Sequence, residues 1–404
     1  MQTALITILY LAELPYLFLM VMVVVGALRR QRVGRTSATP SVSVILPARD
    51  EGPTLPRTLA SLAAQRYSGR LEFVVVDDRS RDDTREVIER FAASDERFKL
   101  VSVQRPSRRL APKVNAVDHG IRASSGELIV ATDADCVHDP NWVAGMASYF
   151  VDDVVMVAGY VSTSRPGEAR TLLQRFESVD WFTLMLVSRS LTRFGLKYAS
   201  SANNLAYRRS AFDAVGGFGA AGRAPSGDED LLTQKLGALP GARLAFADAL
   251  ECRVVTTGVK TAPDLVRQRR RWVSRYHHVL HYHLGFLAGI AVLGLQSVLL
   301  TAAALLSLLV PGILPWVLGV WGVKVAIEFV GMGVGTRQWG RRDLWGFTTL
   351  WWSLLHPLFI ALAVIGSFLK PSAWHAGADG YRTRFFQRRL REFRRRVKEG
   401  AVRP

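Results

Sequence analysis

The chain has 404 residues, with 52 Lys and Arg against 34 Asp and Glu, a formal charge of +18 and a hydrophobic fraction of 49%. Its two cysteines, Cys136 and Cys252, exclude a disulfide framework or a cysteine-built metal site and fit a reducing, cytosol-facing compartment. The basic excess clusters beside apolar stretches (Arg29, Arg30, Arg32, Arg35; Arg267, Arg269, Arg270, Arg271; 388–396), a placement that speaks for positive-inside topology and anionic lipid, and against a nucleic-acid partner.

Residues 3–28 are long and apolar enough to span a bilayer, although Glu13 and Pro15 interrupt them. Basic residues follow the apolar run, the reverse of a cleaved signal peptide, so the reading is an uncleaved anchor with the following chain in the cytoplasm. A polar linker at 34–40 leads into a soluble region. There the pattern predicts strands at 41–46, 71–76 and 100–103 and helices at 54–66, 82–94 and 113–124. A further strand runs into Thr132-Asp133-Ala134-Asp135. This alternation predicts an α/β fold with a mainly parallel sheet flanked by helices. Ligands bind such sheets at the carboxyl ends of strands, and that is where the acidic clusters at 50–51, 77–78 and 133–135 fall. Residues i and i+2 of a strand point the same way, so Asp133 and Asp135 aim at one point and suit a hard divalent cation.

Beyond Asp139-Pro140 the pattern predicts a helix at 141–151, a strand at 154–162 and an amphipathic, aromatic-rich helix at 168–190. Residues 198–208 contain Asn203 and Asn204, followed by a Gly-rich turn at 216–219. A helix at 231–237 follows Asp228-Glu229-Asp230, and strands are predicted at 244–247 and 252–256. Residues 262–283 read as a basic amphipathic helix at the membrane interface, carrying Trp272, Tyr276 and His277. Interfacial His281 and His283 read as structural. Apolar segments at 284–310, 312–333 and 344–369 follow, divided or kinked by Pro311, Pro315 and Pro357. An anchor plus three spans would put the C-terminus opposite the soluble domain, yet the basic tail belongs in the cytoplasm. Segment 344–369 is therefore read as re-entrant or interfacial. Lys324 and Glu328 lie at i, i+4 in an apolar segment, as a neutralised structural pair or as the lining of an acceptor path.

Five ordered motifs carry a resemblance over residues 41–275. They are Ile45-Leu46-Pro47-Ala48-Arg49-Asp50-Glu51, Val75-Val76-Asp77-Asp78-Arg79-Ser80, Thr132-Asp133-Ala134-Asp135, Gly227-Asp228-Glu229-Asp230 and Gln268-Arg269-Arg270-Arg271-Trp272. Together they resemble the family 2 glycosyltransferases, membrane-bound inverting enzymes with the GT-A nucleotide-sugar fold. The resemblance implies a UDP-sugar donor site at Pro47, Arg49, Glu51, Asp77, Asp78, Lys113 and Asp133. It implies Mg²⁺ or Mn²⁺ held by Asp135 and Asp133, and a base at Asp230, with Asp228 and Glu229 in the same turn. Crowding of these three carboxylates is expected to raise at least one pKa. Gln268, Arg271, Trp272, Asn203 and Asn204 would meet the diphosphate or acceptor. Arg79 stands where relatives often carry Gly, which bears on nucleotide preference.

The implied organisation is an anchor at 1–30, a cytoplasmic catalytic domain at 40–260, an interfacial helix at 261–283, membrane or re-entrant helices at 284–370 and a basic cytoplasmic tail at 371–404. The implied location is a bacterial inner or plasma membrane, with a lipid or lipid-linked glycan as acceptor. The resemblance equally covers processive polysaccharide synthases, such as those making poly-N-acetylglucosamine, cellulose or hyaluronan. About four membrane segments are few for a polymer channel. A non-catalytic membrane scaffold would have lost Asp133, Asp135 or Asp230, and all are present.

Overall fold

The computed structural model describes residues 2–29, 34–107, 109–197, 201–219, 222, 228–273 and 284–369. Arg30, Arg32, Gly227, Tyr276, His277, His281, His283 and the basic tail lie outside the described residues, as does the side chain of Asp228.

Strands β1 (Val42–Ala48), β2 (Leu71–Asp77), β3 (Phe98–Ser102) and β4 (Leu128–Ala131) alternate with helices α2 (Leu55–Ala63), α3 (Thr84–Ser94) and α4 (Pro112–Arg122), after the first helix α1 (Gln2–Leu28). β1, β2, β3 and β4 pair in parallel, as the alternation of strands and helices predicts. The pleat sends Val44, Leu46, Phe73 and Val75 to one face, against Leu55, Leu59 and Leu62 of α2 and Val87 and Ile88 of α3. Ile45, Val74 and Val76 go to the other face, against Val114, Val117 and Ile121 of α4.

The second half extends the same sheet. After the short β5 (Val137–His138) and α5 (Trp142–Ala147) come β6 (Val154–Gly159), β7 (Val161–Ser162) and the long α6 (Leu172–Arg193). β8 (Leu205–Arg208) then pairs antiparallel with both β4 and β6, and β9 (Arg243–Ala247) closes the order β3-β2-β1-β4-β8-β6-β9. Between them lie α7 (Arg209–Ala214) and α8 (Asp228–Gly237). β10 (Val254–Val255) joins β5 and β7 in a small second sheet over the carboxyl edge. Residues 154–162, expected as one strand, split at Tyr160 because β6 and β7 belong to different sheets.

α6 starts at a capping box, with Thr171 Oγ1 accepting the Gln174 N–H at 3.2 Å and Gln174 Oε1 accepting the Thr171 N–H at 3.1 Å. It is the plate between the soluble domain and the apolar helices. Phe176, Val179, Phe182, Met185 and Leu186 share one core with Tyr16, Met20, Val23 and Ala27 of α1. The two helices meet at Gly26, where a Cβ would stand 2.7 Å from Ser190 Cβ.

After α9 (Ala262–Val273), three more apolar helices follow: α10 (Leu284–Leu306), α11 (Leu314–Gln338) and α12 (Phe347–Leu369). With α1, four helices among the described residues are long and apolar enough to cross a membrane. Pro15 and Pro357 sit inside continuous helices, and Pro315 starts α11 in the first turn, where its missing N–H costs nothing. α11 ends on the soluble domain. Arg189 donates to Gln338 Oε1, and Trp339 packs against Tyr160, Phe182 and Phe246. α12 is one unbroken helix, so no re-entrant turn interrupts 347–369. It lies along the soluble domain: Trp352 and His356 face Asp180, Phe359 meets Phe176, and Gly366 lies under Arg270. Lys324 and Glu328 form the neutral pair, at 2.7 and 2.8 Å, closed by the Tyr16 hydroxyl and the Ser353 carbonyl.

Candidate active site

β1, β2 and β4 are parallel neighbours, so their carboxyl ends open on one edge of the sheet. The loops after β1 and β2 clasp each other. Asp50 Oδ1 accepts the Arg81 N–H at 2.8 Å, Glu51 N–H donates to Thr84 Oγ1 at 2.8 Å and Gly52 N–H to Asp82 Oδ2 at 2.9 Å. Asp77 Oδ1 accepts the Ser80 N–H at 3.0 Å. Asp78 is buried between two guanidinium groups, Arg79 Nε at 2.8 Å and Arg49 Nη1 at 3.8 Å. Arg79 sits at φ 61°, in the left-handed region that favours Gly, and its ion pair with Asp78 helps to hold it there.

The turn after β4 carries the acidic pair. Asp133 Oδ1 lies 2.6 Å from Lys113 Nζ, which projects from the first turn of α4. Asp135 Oδ2 accepts from Thr256 Oγ1 at 2.9 Å. Burial, and next the charge of Asp133, push the Asp135 carboxyl above its ordinary range. Burial does the same to Glu51, with Asp135 and Asp133 adding to it against the pull of the Thr54 hydrogen bond. Carboxylates gathered at one strand end would suit a hard divalent cation. Among the described residues no three His, Cys, Asp or Glu side chains close a cage. Asp133 and Asp135 would therefore hold part of the coordination sphere and leave the rest to oxygens of a ligand.

Pro47, Lys113, Asp133 and Glu229 line one cavity, with Ala202 and Tyr207 behind them. Asp230, expected as the base, is only 2% exposed and is not on that wall. Successive helical residues turn by about 100°, so Glu229 and Asp230 leave α8 in different directions. Of these two residues Glu229 lines the cavity, together with Asp133, and Asp230 is buried.

Asn204 is also corrected. It is 0% exposed, its Oδ1 accepts Trp142 Nε1–H at 3.0 Å, and its Nδ2 donates to the carbonyls of Tyr160 and Cys252 at 3.0 and 2.8 Å. Both donors and the acceptor are spent on the fold, which leaves nothing for a sugar. Asn203 Oδ1 accepts from Ser201 Oγ, and its carbonyl accepts from Thr132 Oγ1 at 3.2 Å. The same Thr132 meets His138 Nε2 at 2.8 Å, and burial holds the His138 pKa down at about 3, so the ring is a neutral strut.

In α9 the most buried motif residue is Arg269. Its Nε donates to Asp180 Oδ2 at 2.6 Å, and its Nη1 donates to Gln268 Oε1 at 2.9 Å. Its guanidinium lies 3.9 Å from the Trp272 ring centroid, and Trp272 meets Trp181 edge-on at 5.2 Å. Gln268, Arg271 and Trp272 are all half-buried. Asp180, Glu177, Thr256 and His138 belong to no motif of the sequence, and the motif alone does not give Arg269 its buried role. Glu177 and Asp180 carried a usable signal, two acids at i, i+3 within the apolar run of α6.

Residues 43–216 match the family described as Glycosyl transferase family 2. An N-acetylglucosaminyltransferase of Bradyrhizobium elkanii is 35% identical over 132 residues, covering 32% of this chain and 70% of that protein. One of Rhizobium leguminosarum bv. viciae is 35% identical over 180 residues, covering 44% of this chain and 41% of that protein. The chain thus spans about two fifths of the length of that longer relative. Among solved structures, a mannosyltransferase from Pyrobaculum calidifontis in complex with GDP-Man and Mn²⁺ matches at a TM-score of 0.61 and 17% identity. That likeness covers 92% of this chain and 99% of the other, and at this identity it is one of fold, the GT-A fold with its accompanying helices. On the family match and the Bradyrhizobium relative, with the strand-end acids in place, this chain belongs to glycosyl transferase family 2.

Proposed function

We propose that the protein is a metal-dependent, inverting glycosyltransferase that moves a sugar from a UDP-sugar to a lipid or lipid-linked acceptor at the cytoplasmic face of a membrane. The observation that carries this reading is the gathering of Lys113, Asp133 and Asp135 at the carboxyl end of β4, with Glu51 from the end of β1 close by and Glu229 on the same small pocket. Lys113 would neutralise a phosphate, and the clasped loops after β1 and β2 would hold the nucleoside. A divalent ion, when bound at Asp133 and Asp135, would stabilise charge on the leaving diphosphate. The Glu229–Asp230 pair would take the acceptor hydroxyl's proton as its oxygen attacks the anomeric carbon and the C–O bond to the diphosphate breaks. The resemblance assigns the base to Asp230, whereas exposure favours Glu229. The relatives' names favour N-acetylglucosamine as the sugar, and the four apolar helices with their basic flanks favour a membrane-borne acceptor.

The test is transfer by detergent-purified protein, using UDP- and GDP-sugars with Mn²⁺ or Mg²⁺ and a total bacterial lipid extract. Metal-dependent UDP release with a glycolipid product is the expected outcome. Asp230→Asn or Glu229→Gln, whichever removes the base, should lower the rate by roughly 10²- to 10⁴-fold. No transfer from any donor by folded, monodisperse protein would sink the proposal.

A further inference from the structure

One face of α6 carries Glu177, Asp180 and Trp181 at i, i+3 and i+4, and each grips a different part of the site. Glu177 accepts the Val259 N–H with both oxygens, at 3.0 and 3.1 Å. Val259 ends the segment whose Thr256 hydroxyl donates to Asp135 Oδ2 and whose Thr257 hydroxyl donates to the Asp135 carbonyl at 3.4 Å. Asp180 holds the Arg269 guanidinium, and Trp181 backs Trp272. The other oxygen of Asp180 faces α12, with Trp352 Nε1 at 3.4 Å and His356 Nε2 at 3.7 Å.

Asp180 and Arg269 have side chains 4% exposed. A buried ion pair is no better for stability than apolar residues of the same volume. What it adds is direction: a planar guanidinium with two N–H groups on one carboxylate oxygen has a fixed plane. Trp272 stacks on that plane, and Gln268 is tied to its third nitrogen. The orientation of the half of α9 that bears Gln268, Arg271 and Trp272 therefore follows Asp180, and Asp180 in turn is touched by a membrane helix.

We infer that Asp180 is a positioning residue for sugar transfer, fixing the half of α9 that bears Gln268, Arg271 and Trp272 and making that setting depend on how α12 seats against α6. The inference rests on the proposed glycosyltransferase reading and adds to it a contact through which the membrane helices act on the rate.

The experiment uses the full chain in detergent, with UDP-N-acetylglucosamine, Mn²⁺ and the total lipid extract as acceptor. It compares wild type with Asp180→Asn, Arg269→Lys and Trp352→Phe. Rate, the extract concentration giving half-maximal rate, and UDP–Mn²⁺ affinity are measured separately. Asp180→Asn should lower the maximal rate roughly 10- to 100-fold and raise the half-saturating extract concentration. UDP–Mn²⁺ affinity should fall much less than the rate, since α9 would reach the diphosphate only through Arg271 while the nucleoside and metal contacts lie at the strand ends. Trp352→Phe keeps an aromatic side chain but removes the N–H with the pyrrole half of the indole, so it should show a smaller loss in the same direction even if Asp180→Asn fails to fold. Wild-type kinetics in the folded variants would overturn the inference, as would a loss of UDP–Mn²⁺ affinity as large as the loss of rate. An inactive wild type would instead count against the glycosyltransferase reading itself.

Discussion

Glu177 is a carboxyl whose surroundings hold it far from its ordinary behaviour. Burial, opposed by the Val259 N–H, raises its pKa from 4.5 to about 7. Between those values the folded protein binds a proton that the unfolded chain has released. Stability from this group is therefore full below about 4.5 and declines as pH rises towards 7. Glu177→Gln keeps an acceptor for Val259 and removes the ionisation. Relative to wild type, the variant should gain up to about 3 kcal/mol between pH 4.5 and 8, read as apparent melting temperatures in detergent. The only local signal at Glu177 was its i, i+3 spacing from Asp180, whereas the places of Asp133 and Asp135 after a strand and of Lys113 in a first helical turn were legible because those are local patterns. Asn204 was misread because its partners Trp142, Tyr160 and Cys252 lie 62, 44 and 48 residues away in the chain.

At the scale of elements, the site depends on a segment outside the nucleotide half. The residues after β10 reach across to the turn after β4, where Thr256 donates to Asp135 Oδ2. Thr256→Val keeps the shape and deletes that bond, leaving the carboxylate free to rotate. If Asp135 holds the ion as proposed, losing a bond that orients it should cost roughly 10- to 100-fold in metal affinity, so the Mn²⁺ concentration for half-maximal binding should rise accordingly, measured by titration calorimetry with UDP present. The β-α alternation of the first half was readable because each strand is short and mostly apolar and each helix has one apolar face. The antiparallel insertion of β8 between β4 and β6 was not, because a four-residue strand records its burial and not its neighbours. Likewise Arg269 and Trp272 were visible as motif members, but only α6 decides that Arg269 points inward.

Across the whole molecule, α1, α11 and α12 share a buried ion pair. Lys324 and Glu328 are fully enclosed and bonded to Tyr16 and the Ser353 carbonyl. Lys324→Met would leave Glu328 buried without its cation and should cost about 3–5 kcal/mol, whereas Lys324→Met with Glu328→Gln should recover most of it. Melting in detergent distinguishes the two, and equal destabilisation by both would show that packing, not charge, is at stake. The i, i+4 spacing predicted this pair from the sequence alone, as it predicted four apolar helices of spanning length and an α/β domain with acids at its strand ends. Those features are determined by periodicity and local chemistry, which each stretch of chain carries within itself. Three things waited for the tertiary structure: that Glu229 rather than Asp230 faces the cavity, that Asn204 is a packing residue, and that Asp180 ties α9 to α12. Each is decided by which distant surfaces a helix or turn meets, and the energy of that meeting comes from burial shared between segments that no local window of sequence contains.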